Sequence, residues 1–266
     1  MDNTIRTLDE ARSADGTRIV YERRGDGPAL VLVGGALGTA ANDEPLAALL
    51  AARFAVHIYD RRGRGASGDT APYAVEREIE DLAAVVAAAG TDVSVHGLSS
   101  GGGLALRAAA AGVPIGRLSV YEPPFNPVAR IGQRPAASVR HLTELVARGR
   151  RAAALSLFLT EAGMPADTLA RLTHTPLWAE LEAVAHTLPY DHAVMGNGAV
   201  PTRRLFRVGI PVMVVDGGAS PPWTREAARL VARALPRGRH RTLTGQTHEV
   251  APHVLAPVLE EFFAEG

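Results

Sequence analysis

Gly97-Leu98-Ser99-Ser100-Gly101 stands between an apolar run, Asp92-Val93-Ser94-Val95-His96, and an alanine- and leucine-rich segment at residues 102–111. The run reads as a short strand and the segment after it as a helix, with no spare residue between them. In that setting a G-x-S-x-G pentapeptide is a sharp strand-to-helix turn that presents its serine hydroxyl above the sheet edge. The flanking glycines let the backbone pass close to its neighbours without a Cβ clash. Ser99 is therefore the candidate nucleophile, and the backbone N–H of Ser100 a candidate oxyanion donor.

Outward from this turn the chain alternates strands and helices. Residues 7–12 and 17–23 flank Ser13-Ala14-Asp15-Gly16, whose Asp-Gly marks a hairpin. Strands are expected at 29–33, 54–59, 117–121, 210–215 and 240–243. Helices are expected at 46–52, 75–89, 224–234 and 254–264, and helical segments alone at 138–148, 151–160, 166–172 and 177–188. The expectation is an α/β fold. A mainly parallel eight-stranded sheet carries helices on both faces, and a helical cap is inserted over its C-terminal edge. The core domain is expected at residues 1–124 and 208–266 and the cap at 125–207. A Gly63-Arg64-Gly65-Ala66-Ser67-Gly68 stretch matches G-x-G-x-x-G, but Asp69-Thr70-Ala71-Pro72 follows, so no helix opens on the third glycine to meet a pyrophosphate.

Composition narrows the chemistry. The 266 residues hold 28 basic and 28 acidic side chains, so no basic face invites nucleic acid or an anionic membrane. All the basic residues are arginine, which leaves no lysine for a Schiff base or a P-loop. Cysteine is absent too, which excludes disulfides and thiolate catalysis. No H-E-x-x-H or similar ligand spacing occurs, so neither a metal nor another cofactor is expected. The first residues show no charged region leading into an apolar one, and no apolar run is long enough to span a bilayer. A cytoplasmic protein acting on a small molecule is expected.

The order of elements, the turn at Gly97 to Gly101 followed by Gly102, and His248 in Gly245-Gln246-Thr247-His248 together resemble the α/β-hydrolase superfamily. Asp60-Arg61-Arg62-Gly63-Arg64-Gly65-Ala66-Ser67 is similar to the loop after the fourth strand in capped members. The resemblance implies Ser99 as nucleophile and His248 as general base, with His253 the weaker choice. It also implies an acid about four residues beyond the seventh strand, where this chain has Ser220. Two carboxylates could substitute. Glu122 directly follows the sixth strand, the position used by one subgroup of haloalkane dehalogenases, and Asp216 ends the seventh. Glu122 is favoured and Asp216 remains the alternative. The second oxyanion donor is expected in Gly34-Gly35-Ala36-Leu37-Gly38, by register the N–H of Ala36.

Leu37, Trp178, Tyr190, Met195 and Trp223 are candidate pocket residues. The expected activity is hydrolysis of an ester, lactone or thioester of a small to medium apolar substrate through an acyl-serine. Lyase, cyclase or perhydrolase chemistry on the same site, or ligand binding without catalysis, are the alternatives.

Overall fold

The structure is a computed structural model and describes residues 6–129 and 137–265. The strands are β1 (Arg6–Arg12), β2 (Arg18–Arg24), β3 (Ala29–Val33), β4 (Ala55–Tyr59), β5 (Val93–Leu98), β6 (Ile115–Tyr121), β7 (Val212–Gly217) and β8 (Gly238–Leu243). They form one sheet in the order β1-β2-β4-β3-β5-β6-β7-β8. Only β1 and β2 run against their neighbours, and the Asp15-Gly16 turn sets Arg12 opposite Arg18. From β4 to β8 every pairing is parallel.

A parallel sheet needs both faces covered, and its strands are apolar on both. Strand β3 is the clearest case. Leu30 and Leu32 pack with Leu50 and Leu259 on one face, while Val31 and Val33 pack with Leu82 and Leu104 on the other. The covering helices are α1 (Ala40–Leu50) and α11 (Pro252–Ala264) on the first face. On the second lie α2 (Val75–Ala89), α3 (Ser100–Ala110) and α10 (Pro222–Ala234). Between β6 and β7 the chain leaves the sheet for a helical insertion. It comprises α4 (Ala137–Ala147), α5 (Arg151–Glu161), α6 (Ala166–Leu172), α7 (Pro176–Val184), a 3-10 turn (Ala185–Thr187), α8 (Leu188–Met195) and α9 (Thr202–Leu205). Residues 130–136, within the expected cap, lie outside the described residues.

Two helix boundaries differ from the sequence expectation by more than two residues. Helix α1 begins at Ala40 rather than 46, because Thr39 and Asn42 form a capping box and Pro45 is accommodated inside the helix. The helix expected over 177–188 stops at Val184, and the chain resumes as α8, with Pro189 in its first turn. Helix α8 therefore has no counterpart in the sequence expectation. Among the described residues, no helix is long and apolar enough to cross a membrane.

Candidate active site

The turn at Ser99 is as tight as its glycines require. Ser99 has φ 54° and ψ −125°, outside the regions an ordinary L-residue prefers. A Cβ on Gly101 would stand 2.2 Å from the Val33 carbonyl oxygen, and one on Gly97 would stand 2.6 Å from the Gly102 Cα. Both positions exclude any side chain, so α3 starts directly against β3 and β5.

Sheet register then sets the neighbours. Leu98 is paired with Tyr121, and Tyr121 with Val215, so residues 99 and 122 follow the ends of β5 and β6 beside residue 216, which is still within β7. The Ser99 amide donates to the Tyr121 carbonyl at 2.8 Å, and the Glu122 amide to the Val215 carbonyl at 2.9 Å. Glu122 is fully buried, and its Oε2 lies 2.8 Å from His248 Nδ1. Its Oε1 accepts the Gly217 amide at 2.8 Å. Burial by itself would raise the Glu122 pKa. Hydrogen bonds from His248 and the Gly217 amide outweigh it and hold the carboxyl below its ordinary value. An ionised carboxylate only accepts hydrogen bonds, so His248 Nδ1 carries the proton and Nε2 is left as the basic nitrogen. The His248 side chain is half-exposed, which leaves that nitrogen open to a reacting partner. Among the described residues Ser99 Oγ makes no hydrogen bond, and a nucleophile–base hydrogen bond often forms only around substrate.

The loop that carries His248 is held by groups the sequence did not single out. Tyr121 Oη donates to the Thr247 carbonyl at 2.6 Å, and the Ala219 amide to the Gln246 carbonyl at 2.9 Å. Asp216 is turned away from His248: its Oδ2 meets His240 Nε2 on β8 at 2.5 Å. Ser220, where the resemblance expects the acid, is buried. Its hydroxyl helps to stabilise the Glu122 carboxylate but makes no hydrogen bond of normal geometry. His253 lies on α11.

The Gly34–Gly38 loop faces the turn. A Cβ on Gly35 would stand 3.0 Å from Ser99 Cβ and 3.7 Å from its Oγ. Among the described residues the amides of Ala36 and Ser100 donate to no protein acceptor. Leu37, at φ 61°, is buried in a cluster with Leu142, Leu155, Val184 and Leu188 of the insertion, against which Ala36 and Trp178 also pack. The insertion thus lays an apolar layer on the loop beside Ser99.

The other candidate pocket residues have different settings. Met195 packs in the main core with its sulfur against Gly103 of α3. Tyr190 stacks on Tyr73 at 3.8 Å and donates to Asp69 at 3.0 Å. Trp223 is half-exposed in the first turn of α10. These three contacts are not with Ser99, Glu122 or His248. An open depression of about 580 Å³ at the amino-terminal end of β3 and β4 shares no lining residue with this group.

A serine on a strained turn and a histidine bonded to a buried carboxylate, all at the carboxyl ends of a parallel sheet, match a known family along most of the chain. The model of the alpha/beta hydrolase family matches residues 30–261. The chain belongs to the α/β-hydrolase family. An α/β-hydrolase of Sphaerobacter thermophilus is 53% identical over 96% of this chain and 100% of its own, with a TM-score of 0.88. An esterase from a Rhodococcus species shares the fold at 23% identity, covering 97% of this α/β-hydrolase and 98% of its own chain, with a TM-score of 0.70. The N-formylmaleamate deformylase of Pseudomonas putida is 39% identical over 120 residues, which span 43% of this chain and 44% of that protein.

Proposed function

We propose that this α/β-hydrolase transfers an acyl group to Ser99 and then to water. The observation that carries this reading is the 2.8 Å contact of His248 Nδ1 with buried Glu122, beside the Ser99 turn. His248 Nε2 takes the Ser99 proton as Oγ attacks the substrate carbonyl carbon. The amides of Ala36 and Ser100 hold the resulting oxyanion, and Glu122 stabilises the imidazolium. His248 then returns the proton to the leaving group, giving an acyl-serine. Water attacks that ester carbonyl with the same histidine as base, Ser99 is released, and the product is the free acid.

The apolar layer over Ala36 and Leu37 suits a small or medium acyl group. Esters, lactones and thioesters are the expected substrates. The deformylase likeness adds N-formyl amides to the set worth assaying. A fluorophosphonate probe should label wild-type protein and fail on Ser99→Ala. Folded wild-type protein that resists the probe would overturn the acyl-serine reading in favour of ligand binding or non-covalent chemistry. A panel of p-nitrophenyl esters of graded chain length, run beside an N-formyl amide, then assigns the acyl group.

A further inference from the structure

Beneath the Gly34–Gly38 loop lies a buried charge cluster whose side chains the mechanism above does not use. Arg61 and Arg64, from the loop after β4, are nearly inaccessible to solvent, as are Glu78 on α2, Ser100 on α3 and Asp191 on α8. Glu78 grips Arg61 with both oxygens, each at 2.9 Å. Asp191 receives Arg64 Nη2 on both of its oxygens, at 2.9 and 2.8 Å, and Arg61 Nη1 at 2.8 Å. The Ser100 hydroxyl also donates to Asp191, at 2.7 Å. Two guanidinium groups therefore face two carboxylates, and the insertion contributes one of them. Burial would raise the Asp191 pKa, but Arg64 and Arg61 hold it down at about 2, so the carboxylate stays charged.

The Nη1 atoms of both arginines also reach the loop. Arg64 Nη1 donates to the Gly35 carbonyl at 2.5 Å, and Arg61 Nη1 reaches the Gly34 carbonyl at 3.3 Å. The Gly35 carbonyl and the Ala36 N–H belong to one planar trans peptide, so they point in opposite directions. Anchoring that oxygen on Arg64 turns the Ala36 N–H outward, away from the cluster. The Gly38 amide reaches the same carbonyl at 3.3 Å, a longer bond than that from Arg64, and glycine at 35 adds little stiffness of its own.

We propose that Asp191 is a positioning residue for the oxyanion site. From the insertion it orients Arg64, and through Arg64 it sets the Gly35–Ala36 peptide so that the Ala36 amide faces the reacting carbonyl. Seating of α8 on the core and assembly of the oxyanion donor pair are then one event. The proposal rests on the acyl-serine reading.

The test compares wild type, Asp191→Asn and Arg64→Lys by active-site titration with a fluorophosphonate and by steady-state turnover of a p-nitrophenyl ester, with Ser99→Ala as the blank. The expected result is a kcat per titratable serine lowered by about 10- to 100-fold with KM nearly unchanged, since a donor made only for the transition state is displaced. Arg64→Lys keeps the cluster's charge balance but lacks the fork that joins Asp191 to the Gly35 carbonyl, so it covers the case in which Asp191→Asn fails to fold. Variants that lose thermal stability yet keep wild-type kcat per titrated serine would overturn the proposal and leave the cluster a structural seam. Absence of labelling in wild type would overturn the acyl-serine reading and the proposal with it.

Discussion

Among the described residues, Leu37, Ser99 and Glu122 account for three of the four non-glycine residues with positive φ, and all three lie around the turn. Each such conformation costs on the order of 1–3 kcal/mol and persists because its surroundings over-determine it. For Ser99 the hydrogen bond from its amide to the Tyr121 carbonyl and the start of α3 do so. Ser99→Gly should therefore stabilise the fold by about 1 kcal/mol in urea melts, because glycine adopts φ 54° without penalty, and it should abolish turnover. A Ser99→Gly protein no more stable than wild type would mean that the turn carries no strain. Glu122→Gln should lower kcat by about 10²- to 10⁴-fold, since an amide cannot stabilise the imidazolium or enforce the tautomer. Asp216→Asn should change kcat only a few-fold, because Asp216 is engaged with His240. The reverse ranking would reassign the acid.

At the scale of elements, the loop after β8 is positioned by strand ends more than by its own sequence. Tyr121, at the end of β6, is fully buried and bonds the Thr247 carbonyl one residue before His248. Tyr121→Phe leaves that carbonyl without its donor. We expect a loss of about 1 kcal/mol in stability and a several-fold drop in kcat at unchanged KM. A KM effect alone would place Tyr121 in substrate binding instead. The turn itself, the hairpin and the strand–helix alternation were legible in the sequence because each depends on residues close in the chain. Helix α8 was not, because its eight residues have little apolar periodicity and it is held by Asp191 in the charge cluster and by Val194 and Met195 in the main core. Asp191 carried no sequence signal. The nearest clue was a proline at the helix start.

Across the molecule, buried His96 and partly buried Asp43, whose Oδ2 is inaccessible, are expected to set opposing pH dependences of stability. His96 on β5 is almost fully buried, and burial pushes its pKa down to about 3. Between that value and its ordinary 6.5 the unfolded chain binds a proton that the folded one refuses, so His96 makes stability fall as pH drops. Asp43 behaves oppositely. Burial, then the neighbouring Asp60, raises its pKa to about 7, so the folded state keeps a proton that the unfolded chain loses above about pH 4, and stability falls as pH rises. Each slope is about 1.4 kcal/mol per pH unit, and they cancel between about pH 4 and 6.5. Asp43→Asn should therefore destabilise steeply on acidification through that window while wild type stays flatter, as read from melting temperatures. Parallel curves for the two proteins would contradict this pairing. Asp191, held at about 2, releases its contribution only below about pH 4, so the charge cluster should outlast that window.

By itself the sequence determined the α/β alternation and the strand-to-helix turn at Ser99, and it singled out His248 as a candidate. These follow from hydrophobic period, from glycine spacing and from chain order, all readable within short windows. It also narrowed the candidate acid to Glu122 and Asp216, on neighbouring strands. Only the tertiary structure decided which of them meets His248, because Glu122 and Asp216 differ in where the β6, β7 and β8 loops aim them, not in type or spacing. The same holds for Asp191, which lies 127 residues along the chain from Arg64 and 91 from Ser100. A buried carboxylate acquires such partners when the sheet and the insertion close together, and no local pattern in the chain encodes that meeting.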